Sequence, residues 1–267
     1  MAKPKSAKDR RSGGRDSAKN PRVFLYGVHA VRAALENERR RSFVLHATPN
    51  GLSRLPERLV AESGVKTSRV EPSTLDRLAG ADAVHQGIVL ECDPLPVIDG
   101  SDLFDLADAK LLLVLDQISD PHNVGAILRS AVAFGVDAVL VPHRGGAAQS
   151  GVLAKSASGA VDMIDMIDVR NLSKALQELE KMGFCTIGLD SDGPMPMEET
   201  LTSAPAKIAL VLGAEGKGLR QGTREACTHL ARLDMPGRIR SLNVSNAAAL
   251  SLYVAQRHLA TQDDGTA

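Results

Sequence analysis

Five residues, Ser241-Leu242-Asn243-Val244-Ser245, follow a Pro236-Gly237 turn and lead into an Ala/Leu-rich run. The first backbone N–H groups of a helix lack internal partners, so with Ser and Asn side chains beside them they can hold a ligand. The same residue types are the commonest helix caps, and alone the stretch reads as one. Two upstream stretches change that balance. In Asp116-Gln117-Ile118-Ser119-Asp120-Pro121-His122-Asn123-Val124-Gly125-Ala126-Ile127-Leu128-Arg129 an apolar run passes into a helical pattern. Asn123 is placed to cap that helix, and Gly125 lets another backbone approach. Arg129 lies among apolar neighbours, where a guanidinium needs an anion, a salt-bridge partner or an opening. The other stretch, Leu212-Gly213-Ala214-Glu215-Gly216-Lys217-Gly218-Leu219, sets three glycines around one carboxylate. The flat part of a ligand can approach so tight a loop. It lacks the Lys-Ser/Thr pair of a phosphate-cradling loop.

These stretches need elements that bring them together. From Lys110 onward, apolar runs alternate with helical patterns: strands at 111–115, 138–141, 163–169, 185–189, 208–212 and 230–235, and helices at 123–134, 150–158, 172–182, 219–227 and 244–259. The unbroken Leu111-Leu112-Leu113-Val114-Leu115 suits a strand covered on both faces, and repeated βα units predict a parallel sheet between helix layers. In such sheets ligands bind beyond the carboxyl ends of the strands, where all three stretches fall. Residues 22–93 read as a smaller α/β unit, with strands at 23–27, 42–47, 66–70 and 87–91 and helices at 28–38, 55–62 and 73–78. Pro94 and Pro96 interrupt it, and 94–108 reads as a linker.

The chain has 267 residues, 43% of them hydrophobic but only 3% aromatic, so its core must be aliphatic. Net charge is zero yet uneven. Residues 1–22 carry eight Lys/Arg against Asp9 and Asp16, net +6, which leaves −6 on the rest. Residues 1–21 read as a disordered basic arm suited to an anionic partner such as nucleic acid, or as a solvated tail, and 262–267 as a short disordered end. Cys92, Cys185 and Cys227 are widely spaced and form no metal-binding or disulfide pattern, so no metal site is expected. No apolar run is long enough to cross a membrane, and a cytoplasmic protein is expected.

Together and in this order, Asn123-x-Gly125-x-x-x-Arg129, Leu212-Gly213-x-Glu215-Gly216-x-Gly218 and Ser241-Leu242-Asn243-Val244-Ser245 resemble the motifs of the SpoU (TrmH-like) RNA ribose 2′-O-methyltransferases of the SPOUT superfamily. Tyr26-Gly27-Val28-His29-Ala30-Val31 and Val84-His85-Gln86-Gly87-Ile88 are similar to the substrate-binding domain of its longer members. The resemblance implies an α/β protein: a small L30e-like RNA-binding domain at 22–93, then a parallel-sheet SPOUT domain at 109–261 closed by a C-terminal trefoil knot. It implies S-adenosyl-L-methionine as cofactor, 23S rRNA as substrate, a guanosine ribose as target, and a homodimer that completes the site.

Carried over by resemblance, backbone at Gly213, Leu233 and Leu242 holds the cofactor, and 208–212 with Leu233 supplies the walls of its adenine sleeve. The loop glycines keep side chains out of the cofactor's way. Arg129 matches the family's catalytic arginine, sometimes described as a general base. A guanidinium holds its proton too tightly to be a good base, and binding phosphate while stabilising a developing alkoxide suits it better. Asn123 and Glu215 orient Arg129 and the ribose, while Ser241, Asn243 and Ser245 fix the third loop and contact the nucleotide. Three alternatives stay open: a tRNA guanosine 2′-O-methyltransferase, a resistance-type rRNA methyltransferase of antibiotic producers, which shares the architecture, and a catalytically silent RNA-binding ribosome-assembly protein. The separate unit at 22–93 favours rRNA over tRNA, and the intact Asn123, Arg129, Glu215 and Asn243 favour an enzyme.

Overall fold

The computed structural model describes residues 22–100, 103, 106–143 and 151–264. The basic arm and the end of the tail lie outside the described residues, apart from Arg22. Two sheets organise the chain. The smaller has strands β1 (Val23–Tyr26), β2 (Ser42–Ala47), β3 (Lys66–Arg69) and β4 (Ile88–Cys92) in the order β1-β4-β2-β3. Helices α1 (Val28–Glu36), α2 (Pro49–Leu52), α3 (Glu57–Glu62) and α4 (Pro72–Ala79) pack around it.

The larger sheet has eight strands: β5 (Ile98–Asp99), β6 (Leu111–Asp116), β7 (Ala138–Pro142), β8 (Asp165–Val169), β9 (Cys185–Leu189), β10 (Met195–Pro196), β11 (Ile208–Gly213) and β12 (His229–Arg232). Its order is β10-β12-β9-β11-β6-β7-β8-β5, and every pairing is parallel. Between them run α5 (Pro121–Ala133), α6 (Gly151–Ser156), α7 (Leu172–Lys181), α8 (Met197–Leu201), α9 (Gln221–Glu225) and α10 (Val244–Asp264), with a 3-10 turn at Ala160–Asp162. The alternation of β6 explains the layers. Leu111, Leu113 and Leu115 enter a core shared with α5 and α10, whereas Leu112 and Val114 face α7 on the other side.

Several boundaries differ from the sequence reading. Within 94–108, Ile98 and Asp99 join the large sheet beside β8, and Leu103 and Leu106 are buried in its α7-side core. Strand β10 and helix α8 have two and five residues, too short to leave a periodic signal. Helix α5 begins at Pro121 and not at Asn123: Asp120 is its cap, accepting from the His122 backbone N–H at 3.2 Å, and Pro121 fills the first helical position, where a missing N–H costs nothing. Asn123 is therefore free of capping duty. Gly125 does allow a close approach, since a Cβ there would lie 2.5 Å from the Ser156 Cβ.

The three cysteines are free, and burial pushes the Cys92 and Cys227 thiols up to about 12. Among the described residues no group of His, Cys, Asp and Glu could hold a metal ion, and no helix is long and apolar enough to cross a membrane.

Candidate active site

Strand β6 is followed in sequence by its neighbours on one side, β7 and β8, and then the chain crosses to build β9, β11 and β12 on the other. The order reverses between β6 and β11, the kind of switch point beyond which ligands bind in open α/β sheets. Asn123 comes from the loop and helix after β6, and Glu215 from the loop after β11. Asn243 arrives with the third loop.

Those three side chains meet. The Asn123 amide donates to Glu215 Oε2 at 3.3 Å. Asn243 Nδ2 donates to Asn123 Oδ1 at 3.0 Å and to Glu215 Oε1 at 3.3 Å. Each carboxylate oxygen thus receives one amide donor. Asn243 Oδ1 accepts from the Ser245 backbone N–H at 2.9 Å and from Ser245 Oγ at 2.6 Å. Its backbone carbonyl accepts from the N–H groups of Asn246 and Ala247, both at 3.0 Å. Asn243 is therefore the cap of α10 and a member of the cluster at once, and Ser245 fixes its amide orientation. Ser241 is exposed and stands outside this network.

The Gly213–Leu219 loop closes on itself. Ala214 and Gly218 exchange backbone hydrogen bonds of 3.1 and 2.8 Å, and Gly216 and Gly218 have φ of 77° and 66°. A Cβ on Gly213 would lie 2.2 Å from the Gly218 carbonyl carbon. The glycines serve the loop's own backbone: Gly216 and Gly218 take positive φ, and Gly213 lies against the Gly218 carbonyl. Gly213→Ala is expected to cost about 1–3 kcal/mol through this backbone clash. A denaturant midpoint measures that loss.

Two residues that sequence reasoning missed hold the loop's base. Asp116 ends β6 with its side chain fully buried and accepts from Arg220 twice, from Nε at 2.6 Å and from the backbone N–H at 3.0 Å. The pair ties the end of the glycine loop to the strand that launches Asn123. An acidic residue closing an all-apolar run was the available signal.

Other expectations change. Residues 208–212 are sealed in the core, at most 2% exposed, because β11 is a central strand covered on both faces. They cannot wall a ligand sleeve. What does open to solvent is the third loop: residues 234–242 exchange no backbone–backbone hydrogen bond among the described residues, and Leu242 and Ile239 are 38% and 73% exposed. Leu233 and Gly213 are half-buried at its edges. Free backbone donors and acceptors beside uncovered aliphatic side chains fit a cofactor with a flat base and polar tail. Arg129 stands apart from the cluster. It is exposed on α5, about 9 Å along the axis from Asn123, and has no hydrogen-bond or ion-pair partner among the described residues. Asn123 and Glu215 bind each other and Asn243, so in one chain they do not orient it.

The chain is thus a parallel α/β unit with a three-loop polar cluster at its switch point, joined to a smaller sheet. The chain belongs to the SpoU rRNA methylase family, whose model matches residues 110–253. A second family model, RNA 2′-O ribose methyltransferase substrate binding, matches residues 24–97. The chain is 39% identical over 241 residues to a 23S rRNA (guanosine-2′-O-)-methyltransferase, RlmB, of Xylella fastidiosa, covering 88% of this chain and 96% of that protein. It is 38% identical over 243 residues to the RlmB of Coxiella burnetii, covering 87% and 94%. A solved RNA 2′-O ribose methyltransferase has the same fold, with a TM-score of 0.72 and 26% identity over 90% of this chain and 89% of that one.

Proposed function

We propose that this protein methylates the 2′-oxygen of a guanosine ribose in 23S rRNA with S-adenosyl-L-methionine as methyl donor. The observation that carries the reading is the Asn123–Glu215–Asn243 cluster, assembled at the switch point from loops far apart in sequence. Agreement in family over both units and similarity to 23S rRNA methyltransferases along most of the chain support it.

A ribose hydroxyl is a weak nucleophile, so the site must align it and help its proton leave. When bound, the cofactor supplies an electrophilic methyl group on a sulfonium. Backbone groups at Gly213, Leu233 and Leu242 would hold it, and exposed Leu242 would cover its apolar surface. Asn123, Glu215 and Asn243 would orient the ribose through amide and carboxylate groups already locked to one another. Ser241 and Ser245 would add hydroxyl contacts to the nucleotide. Arg129 would bind the neighbouring phosphate and offset negative charge developing on the 2′-oxygen.

Arg129 is separated from the cluster within one chain, so the reading includes a homodimer. Leu250 and Tyr253 of α10 are 49% and 53% exposed beside α5, an uncovered apolar face that a second copy would bury. The domains taken in this reading are 22–93 for RNA binding and 109–261 for catalysis, the latter with a trefoil knot, and the protein acts in the cytoplasm. Calorimetry with S-adenosyl-L-methionine tests the class. The expected result is saturable binding that Gly213→Ala weakens about tenfold or more. A protein that binds no cofactor is the silent RNA-binding relative instead.

A further inference from the structure

The two units are not merely strung together. Ala154 of α6, a helix of the larger unit, is buried in the core of the smaller one with Leu25, Val31 and Leu90. Gly159, at φ 91°, lies where a Cβ would come within 2.7 Å of the Ala33 Cβ, so α1 rests directly on the turn before β8. Beside this contact Arg40 and Asp162 form an ion pair whose side chains are 1% and 0% exposed. Arg40 Nε and Nη2 donate to the two Asp162 oxygens at 2.8 and 3.0 Å, and Nη1 donates to the Asp93 carbonyl at 3.1 Å. Asn37 Nδ2 adds a bond to Asp162 Oδ1 at 3.2 Å, and Arg39 pairs with Asp165 at 2.5 Å. On α6, Lys155 Nζ donates to Gln86 Oε1 at 3.3 Å, an oxygen that also accepts from the Val28 N–H at 2.9 Å.

A buried ion pair adds little net stability over apolar side chains of similar size, because desolvation offsets its attraction. Its bidentate geometry, however, is satisfied in one relative orientation only. We propose that Arg40 and Asp162 are positioning residues that lock the RNA-binding unit at one distance and angle from the Asn123–Glu215–Asn243 cluster. The enzyme then selects RNA by the span between the element held by the first unit and the target ribose. This rests on the function proposed above, yet the lock itself is a matter of geometry and is measurable without catalysis. Loosening it removes only the Asp93 carbonyl contact within the smaller unit but makes bound RNA search for the site, which lowers the effective concentration of the ribose. Asp162 and Asp165 both face cations of the smaller unit.

The test uses the full chain with spin labels at R58C and K181C, both exposed, in a C227S background diluted with unlabelled protein. The wild-type pair is expected to give one narrow distance distribution. R40A should broaden it and raise KM for an rRNA fragment about tenfold, with kcat and cofactor affinity within about twofold. R40K, which keeps the charge but loses the bidentate fork, should fall between. If R40A does not fold, R40M/D162L removes both charges together and should fold while still broadening the distribution. A distribution as narrow as wild type in folded R40A or R40M/D162L, with KM unchanged, overturns the proposal. If the wild type transfers no methyl group, the proposed function fails, and the distance distributions alone still decide the lock.

Discussion

Arg129→Ala is expected to lower the single-turnover rate of methyl transfer by about 10²–10³-fold while cofactor binding by calorimetry stays within about twofold. An exposed arginine with no ion-pair partner among the described residues has no structural duty there that its loss would expose, so stability should barely change. Its role in the proposed reaction is electrostatic, an offset to negative charge developing on the 2′-oxygen. Arg129→Lys should therefore recover part of the rate, because the charge remains while the planar fork is lost. Because Arg129 and the Asn123 cluster lie apart in one chain, mixing R129A with an inactive N243A chain should restore activity in the heterodimer. A fully active monomer by sedimentation would count against that arrangement.

Arg220→Ala is expected to cost about 2–3 kcal/mol of stability. Asp116 is fully buried and would keep only the backbone N–H of residue 220 as a donor. The figure stays at the lower end because Arg220 is itself 46% exposed, so solvent already weakens its half of the pair. For a chain of this size the loss corresponds to a drop of roughly 5–10 °C in Tm. Asp116 and Arg220 anchor the Gly213–Leu219 loop, so cofactor affinity should fall as well. A thermal scan with and without S-adenosyl-L-methionine separates the effects, since weakened binding also shrinks the ligand-induced rise in Tm.

Much of this architecture is legible in the residues. The buried strands at 111–116, 185–189 and 208–213 announce themselves as aliphatic runs bounded by Gly, Asp or Pro, because a strand covered on both faces needs no polar alternation. Asn243 is legible as a helix cap, since Asn before an Ala/Leu-rich run is a common start signal, and the resemblance to the family singles it out for the polar cluster it joins. What escapes the sequence is long-range pairing. Nothing local joins Arg40 to Asp162, 122 residues apart, or Asp116 to Arg220, 104 apart. Asp120, and not Asn123, caps α5 because Asp120-Pro121 is the stronger start signal, a capping carboxylate followed by proline at the first position. The expected sleeve walls at 208–212 failed for a related reason. Apolar character in a run marks burial but does not say whether core or ligand does the burying.

The central claim is that loops after β6 and β11 and the loop before α10 form a ribose 2′-O-methyltransferase site for 23S rRNA. Its most direct test incubates the purified protein with unmodified 23S rRNA, tRNA and methyl-labelled S-adenosyl-L-methionine, followed by nuclease digestion and mass spectrometry of the nucleosides. Label is expected on the 2′-oxygen of a single guanosine in 23S rRNA, with none on tRNA and loss of that label with N243A. Label on a base, label confined to tRNA, or none in either RNA would contradict it.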